Sequence, residues 1–278
     1  MEGMGNMMRI LRDFILTVVV SVGSVFPVAA AGEIPTSPEM QRILNRGKII
    51  VAMHNDDGYP FYMKSKEGRL TGFDVDMAYD IASRLGVIVE FNRKARTFDE
   101  VVDIVAKREA DLGISQLSVT LKRAQRVHFT VPYLVLRNYL IVNRRHSDDQ
   151  RGRSAAELAN RKGIKILAER GSAHIDFSTR AFPLAVTAPY DSREQAFQSV
   201  VKKESFALYE DEVFVTSLFR KSPEFLLHLE SIPVDGARDR LAVAVNWRDL
   251  HLLSWLDLYM KTVRSETTVD DILQKYPF

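Results

Sequence analysis

The sequence predicts an α/β protein. Short apolar runs of strand length recur along the chain, and segments with helical spacing separate most of them. The first of these runs, Lys48–Met53, is continuous rather than alternating, as expected of a strand buried on both faces of a sheet. With 278 residues, 46% hydrophobic and 27% charged, the chain has the composition of a folded protein and the length for one large core or two smaller ones.

Taken in order, the elements begin after an export signal. Arg9 and Arg12 precede the apolar run Phe14–Val25, then Pro27 and Ala29-Ala30-Ala31. A positive flank, a short apolar core and small residues before a cut mark a secretory signal peptide. Residues 1–31 are therefore expected to be removed, leaving Gly32–Phe278. The apolar core is short for a bilayer span, and no other long apolar run follows. After the strand at Lys48–Met53, Phe73–Leu85 carries Val75, Met77, Ala78, Ile81 and Leu85 at helical spacing. Val87–Phe91 reads as a strand, Phe98–Arg108 as a helix and Ala110–Ser115 as a strand. Tyr139–Asn143 and Gly163–Ala168 are further strands, separated by the polar, charge-rich loop Arg144–Arg153. Ala185–Thr187 is a weaker strand. Arg193–Lys203 reads as a helix, Phe206–Tyr209 and Leu241–Val245 as strands, and Leu250–Val263 as an amphipathic helix. Strands alternating with helices argue for parallel sheets, whose ligands lie at the carboxyl ends of the strands.

Composition removes several kinds of chemistry. Without cysteine there is no disulfide, thiolate metal site, cysteine nucleophile or acylated lipoprotein cysteine. A net charge of +2 gives no nucleic-acid footprint. His54, His128, His146, His174, His228 and His251 lack metal-ligand spacing, and no Gly-x-Ser-x-Gly elbow or phosphate-cradling glycine loop occurs. No metal or cofactor is expected. Asp74 and Asp76 read as scaffold that caps the following helix rather than as an acid/base pair. An exported, unanchored chain without cysteine fits a Gram-negative periplasm.

Residues 115–133 carry the most information. A hydroxyl-rich loop, Ser115-Gln-Leu-Ser118, follows a strand, and Thr120 can cap a short helix that has Arg123 at its third position. An arginine in the first turn opposes the helix dipole, which suggests that it binds an anion. Hydroxyls, backbone N–H groups and a guanidinium fork converging on one point make a carboxylate site.

The ordered set of motifs resembles the family 3 periplasmic solute-binding proteins, the amino-acid-binding components of ABC importers. The resemblance covers essentially all of Gly32–Phe278. It rests on Gly47-Lys-Ile-Ile-Val-Ala52, Tyr59-Pro60-Phe61, and Gly68 and Leu70 before Gly72-Phe73-Asp74-Val75-Asp76. It continues through Ser118-Val-Thr120 with Arg123, Phe129–Tyr133, Gly171-Ser172 and Ala207-Leu-Tyr-Glu-Asp211. The resemblance implies a two-lobed periplasmic-binding-protein-like fold of type II, each lobe a mostly parallel sheet flanked by helices. The two crossover strands should fall near Tyr133–Tyr139 and Ala237–Ala242. Lobe 1 would comprise residues 32–136 and 241–278, with Leu250–Val263 packed back on it, and lobe 2 residues 137–240.

By the same resemblance the protein is a monomer that closes its cleft on a free amino acid and delivers it to an ABC permease, without catalysis. Arg123 would take the α-carboxylate, helped by the Ser118 hydroxyl and the N–H groups of Gln116, Leu117 and Ser118. Ser172 and the N–H of Ala173 would add donors from lobe 2, and Asp211 would take the α-ammonium. Tyr59 and Phe98 would form aromatic walls, with Phe61 nearer to plain core packing. Buried charges of either sign must be paired, or burial costs several kcal/mol. Departures from the family pattern are a residue more than usual in His54–Gly58, Gln116 where a small residue is common, and Ala173 where a threonine often stands. Asp56, Asp57 and Gln116 hint at a polar or cationic ligand, although a solvated acidic turn explains Asp56 and Asp57 equally well. His174 is within reach of the cleft, but a histidine at a helix start is ordinarily exposed. Two other readings stay open: a cyclohexadienyl-dehydratase-like enzyme on the same fold, and a sensory receptor for a small carboxylate. Such dehydratases place a glutamate after the Gly-Thr turn, where this chain has Ala173-His174-Ile175-Asp176.

Overall fold

The computed structural model describes residues 36–148, 155–263 and 267–277. The expected signal peptide lies outside them. Among the described residues no helix is long and apolar enough to cross a membrane.

The first part of the chain runs α1 (Pro38–Arg46), β1 (Lys48–His54), the small hairpin β2 (Met63–Lys64) and β3 (Leu70–Thr71), α2 (Phe73–Arg84), β4 (Ile88–Ala95), α3 (Phe98–Ala106), β5 (Leu112–Gly113), α4 (Leu121–Ala124) and β6 (Val127–Phe129). The long β7 (Leu134–Asn143) leads to α5 (Arg145–Asp148), α6 (Ala155–Ala159), β8 (Lys165–Glu169), α7 (His174–Ala181), β9 (Val186–Tyr190), α8 (Arg193–Val201), β10 (Ala207–Asp211) and α9 (Glu212–Lys221). After a 3₁₀ turn at Pro223–Leu227, β11 (Leu229–Leu241) returns to β12 (Ala244–Asn246), α10 (Leu250–Val263) and α11 (Val269–Lys275).

Two five-stranded sheets organise these elements, in the orders β4-β1-β5-β12-β6 and β11-β7-β10-β8-β9. The α/β expectation holds, and both sheets prove to be mixed. β4, β1 and β5 are parallel neighbours, as are β10, β8 and β9. β12 runs antiparallel to β5 and β6, and β7 runs antiparallel to β10 and β11. The difference follows from connectivity, because a strand returning from the other sheet is free of the helical crossover that parallel pairing requires. The chain passes from one sheet to the other through β7 and comes back through β11.

Apolar side chains on both faces of each sheet explain the continuous runs. Along β1, Ile49, Val51 and Met53 join one cluster while Ala52 joins the cluster on the other face. Along β10, Ala207 and Tyr209 face one cluster and Leu208 the other. In α10 the buried Leu252, Leu256, Tyr259 and Met260 form the stripe expected of an amphipathic helix and pack into the core of the first sheet.

Three local readings change. The strand expected over Ala110–Ser115 shortens to Leu112–Gly113, because its end turns into the binding loop. Asp111 and Ile114 still donate to Ile50 and Ala52. The loop expected over Arg144–Arg153 starts with the helical turn α5. Asp74 does not cap α2, which has no side-chain cap; it is fully buried and reaches across to the binding loop instead.

Candidate functional site

The loop after β5 is held from below. Gln116 has a positive φ of 48°, a conformation that costs a non-glycine residue of the order of 1–3 kcal/mol and persists only where the surroundings enforce it. Here Asp74 Oδ2 accepts the Gln116 N–H at 2.5 Å, and Ser115 Oγ accepts the N–H of His54 at 3.0 Å. Thr120 caps α4 by accepting from the Arg123 N–H. The Arg123 side chain is 4% exposed. Its Nε donates to Asp99 at 2.9 Å, its Nη1 to the Ser118 carbonyl at 3.0 Å and its Nη2 to the Gly171 carbonyl at 3.1 Å. The last of these bonds reaches the turn after β8 in the second sheet.

That turn requires its glycine. Gly171 has φ 70°, and a Cβ there would come within 2.7 Å of Thr97 Cβ, which caps α3. Ser172 Oγ donates to the Glu169 carbonyl at 2.7 Å and accepts from the His174 N–H at 3.2 Å. Asp211, at the end of β10, caps α9 through Oδ1, which accepts from the Phe214 N–H at 2.9 Å. Its Oδ2 accepts from Gln116 Nε2 at 2.8 Å, a second bond between the halves. Asp239, on β11, accepts from Ser118 Oγ at 2.9 Å.

These groups enclose two connected chambers. The inner one, about 20 Å³, is lined by Phe98, Gln116, Ser118, Ser172, Ala173, His174, Asp211 and Asp239. The outer one, about 220 Å³, adds Tyr59, Tyr62, Asp56, Asp57 and Asp191. Glu169 and Arg193 border both. A larger groove of about 820 Å³ runs between Val131–Val135 and Met260–Asp270. None of its carboxylates or cations is buried, so the convergence of buried charge favours the two small chambers as the site.

The electrostatics are dominated by acids. Burial, reinforced by the nearby Asp211 charge, pushes Asp239 up to about 6, against the pull of His174, Ser118 and Arg123. Burial likewise raises Glu210, which accepts from Tyr190 Oη at 2.7 Å and pairs with Arg193 Nε at 3.3 Å. Arg193 also meets Glu169 at 3.1 Å and lies over the Phe214 ring. Burial alone would lower its pKa, but Glu210, Tyr190 and Glu169 hold it well above the usual arginine value. Among the described residues no group of histidine, aspartate and glutamate is arranged to hold a metal ion.

Of the residues singled out in the sequence, the structure brings Gln116, Ser118, Ser172, Ala173, Phe98 and Asp211 around the inner chamber and Tyr59 to the outer one, where its hydroxyl donates to the Tyr276 carbonyl. Two stand apart. Leu117 is fully buried in the core, and its carbonyl accepts from Ala242. Arg123 lies behind Ser118 and lines neither chamber. His174 is not exposed: the Ser172 turn tucks it in to 6% exposure against the Tyr209 ring, with centroids 5.4 Å apart. Glu169, Arg193 and Asp239 were missed by sequence reasoning. Asp239 had a readable signal, since in Arg238-Asp239-Arg240 a strand's alternation sends the acid to the face opposite both arginines.

The sequence matches the bacterial extracellular solute-binding proteins, family 3, over residues 49–278. The chain belongs to that family. Among curated relatives, a putative ABC transporter arginine-binding protein 2 from Escherichia coli strain K12 is 23% identical over 218 residues, 78% of this chain and 86% of that protein. A cyclohexadienyl dehydratase from Pseudomonas aeruginosa is 25% identical over 201 residues, 71% of this chain and 72% of the enzyme. The crystal structure of an ancestral amino acid-binding protein, a precursor of cyclohexadienyl dehydratase, superposes with a TM-score of 0.68 at 27% identity, covering 85% of this chain and 98% of that one. The relatives of this chain therefore include both amino-acid binders and an enzyme, and this chain has the two-lobed architecture of its structural neighbours.

Proposed function

We propose that this chain is a periplasmic binding protein for a free amino acid with a polar or cationic side chain, which it surrounds by lobe closure and hands to an ABC permease. One observation carries the reading. Asp211 is a buried carboxylate, 6% exposed, on one wall of a chamber whose other wall, Gln116, reaches it from the facing sheet. An ammonium group entering there exchanges the Gln116 amide for a full charge pair. Arg123 can serve the ligand carboxylate once its Nη2 releases the Gly171 carbonyl. The acidic outer chamber, with Asp56, Glu169 and Asp191, suits a cationic side chain, in keeping with a relative named for arginine binding. Residues 1–31 would direct export, and the mature chain would act as a monomer without catalysis. The ancestral relative, named as an amino acid-binding protein, supports the binder over the dehydratase.

The test is a thermal-shift screen of the common L-amino acids on protein stripped of endogenous ligand by on-column unfolding and refolding. At least one should raise the melting temperature at micromolar to millimolar concentration, and small-angle scattering should then show a smaller radius of gyration. A folded, stripped sample that shifts with none of them would refute the reading.

A further inference from the structure

We propose that a second groove, which crosses the seam between the two halves on the face of β11 turned away from the cleft, binds a free multivalent phosphate anion, and that the bound anion favours the closed form. The anion site is separate from the amino-acid site. Only its coupling to amino-acid affinity rests on reading the cleft as the ligand site.

The groove, about 490 Å³, has the volume of a small-molecule site, and three elements wall it. Thr120 and Lys122 come from the cap and first turn of α4, which packs against the first sheet. Asp176 and Arg180 come from α7, which packs against the second sheet. Arg238 and Arg240 come from β11, the strand that leads back from the second sheet to the first. The alternation that turns Asp239 into the inner chamber puts these two arginines together on the other face of the strand. The Val119 N–H donates to the Arg240 carbonyl at 2.8 Å, which ties the α4 wall to β11.

The charge of these walls is uncompensated within the protein. Many arginines of this chain are spent on carboxylates, as Arg42 is on Asp249, Arg126 on Asp103, Arg170 on Asp191 and Arg220 on Asp270. Among the described residues, Lys122, Arg180, Arg238 and Arg240 form no such pair. Asp176 is the one carboxylate on the groove, and it pairs with none of them. Arg180 instead lies over the Phe177 ring, 5.5 Å from its centroid, which holds the guanidinium at the wall. Four cations against one carboxylate repel one another around a concave surface that concentrates their field. A single carboxylate would leave most of that charge in place, whereas a multivalent phosphate offsets it, and guanidinium forks match phosphate oxygens two at a time. An anion held by Lys122, Arg180 and Arg240 touches both halves at once. Opening the lobes would pull these contacts apart, so the anion and the amino acid should each tighten the binding of the other.

The probe is inorganic pyrophosphate, with inorganic phosphate for comparison. Each is titrated calorimetrically into stripped protein near neutral pH at constant, low ionic strength, so that screening stays fixed. Pyrophosphate should bind at a single site, more tightly than phosphate. Arg180→Gln and Arg240→Gln, on different walls, should each weaken it about threefold or more. Arg69→Gln removes the same charge outside the groove and should leave it unchanged. All three side chains are exposed, and the melting temperature without ligand checks that each variant folds. Small-angle scattering should show a smaller radius of gyration with saturating pyrophosphate alone, and the amino acid found in the screen should then bind about threefold or more tightly. Absence of pyrophosphate binding, or an equal loss in Arg69→Gln, would overturn the site. A bound pyrophosphate that changes neither the radius nor the amino-acid affinity would overturn its effect on closure and leave the amino-acid reading standing. If pyrophosphate binds and closes the protein while no amino acid binds, the anion site stands and the cleft has been misread.

Discussion

Replacing Asp239 with asparagine should stabilise the ligand-free protein at neutral pH and do almost nothing in acid. The carboxyl group is buried between the halves with one oxygen bonded to Ser118 and the other without a partner. Its pKa is about 6 in the fold, against 3.8 for an unperturbed aspartate. Below pH 3.8 the group is protonated in both states and adds no pH dependence. Between the two values the unfolded chain has lost the proton that the fold retains, so stability falls as pH rises. Above about pH 7 the loss is complete, at roughly 3 kcal/mol. Asparagine keeps a carbonyl to accept from Ser118 and cannot ionise. Denaturant or calorimetric unfolding of both proteins from pH 4 to pH 8 would give the difference in stability at each pH. It should be near zero at pH 4, grow through pH 5 and level off above pH 7 at roughly 3 kcal/mol, or about 6–12 °C in melting temperature for a domain of this size. Glu210, also raised by burial, is common to both proteins and cancels in the difference. A difference that does not change with pH, or a variant less stable than the parent at pH 7.5, would refute the account of Asp239 as a charge left without sufficient compensation.

Two further outcomes follow from the same cleft. Asp211→Ala should weaken binding of whichever ammonium-bearing ligand is found by about 2–5 kcal/mol, roughly thirtyfold to several thousandfold; affinity unchanged in a normally folded variant would remove Asp211 from the site. Gly171→Ala places a Cβ against Thr97 in a left-handed conformation, so the lobes should stand further apart. A larger radius of gyration and roughly tenfold weaker binding should result, and an unchanged radius would show that this approach does not set closure.

Much of the frame could be read from the chain because its signals are local. Thr120 caps α4 with Arg123 at the third position, and Leu250–Val263 is the amphipathic helix that its spacing describes. Asp211 combines two local signals, the end of a buried strand and the cap of the next helix. What escaped was long-range. Arg123 reads as an anion binder in a helix's first turn, yet its neighbours in space are Asp99 and the Gly171 carbonyl, 24 and 48 residues away in sequence. β11 was legible only as a crossing segment near its end, since Pro233, Gly236 and five charged residues give it the composition of a turn. Its pairing with β7 breaks register between Pro233 and Arg238. Glu210 belongs to the run Glu210-Asp211-Glu212, a composition that is ordinarily solvated, yet strand alternation buries it on the face opposite Asp211, where Tyr190 and Arg193 meet it.

The place of β12 in the first sheet bears on how the chain acquires its shape during synthesis. This strand, residues 244–246, lies between β5 and β6 and is the partner through which β6 joins the sheet. Everything else in that sheet is made more than a hundred residues earlier, and the whole of the second sheet is complete at Leu241. A nascent chain therefore carries a split first sheet, with open strand edges at β5 and β6, until β12 emerges. The second sheet has all its strands before the first can close, so the later-made half is free to consolidate ahead of the earlier one.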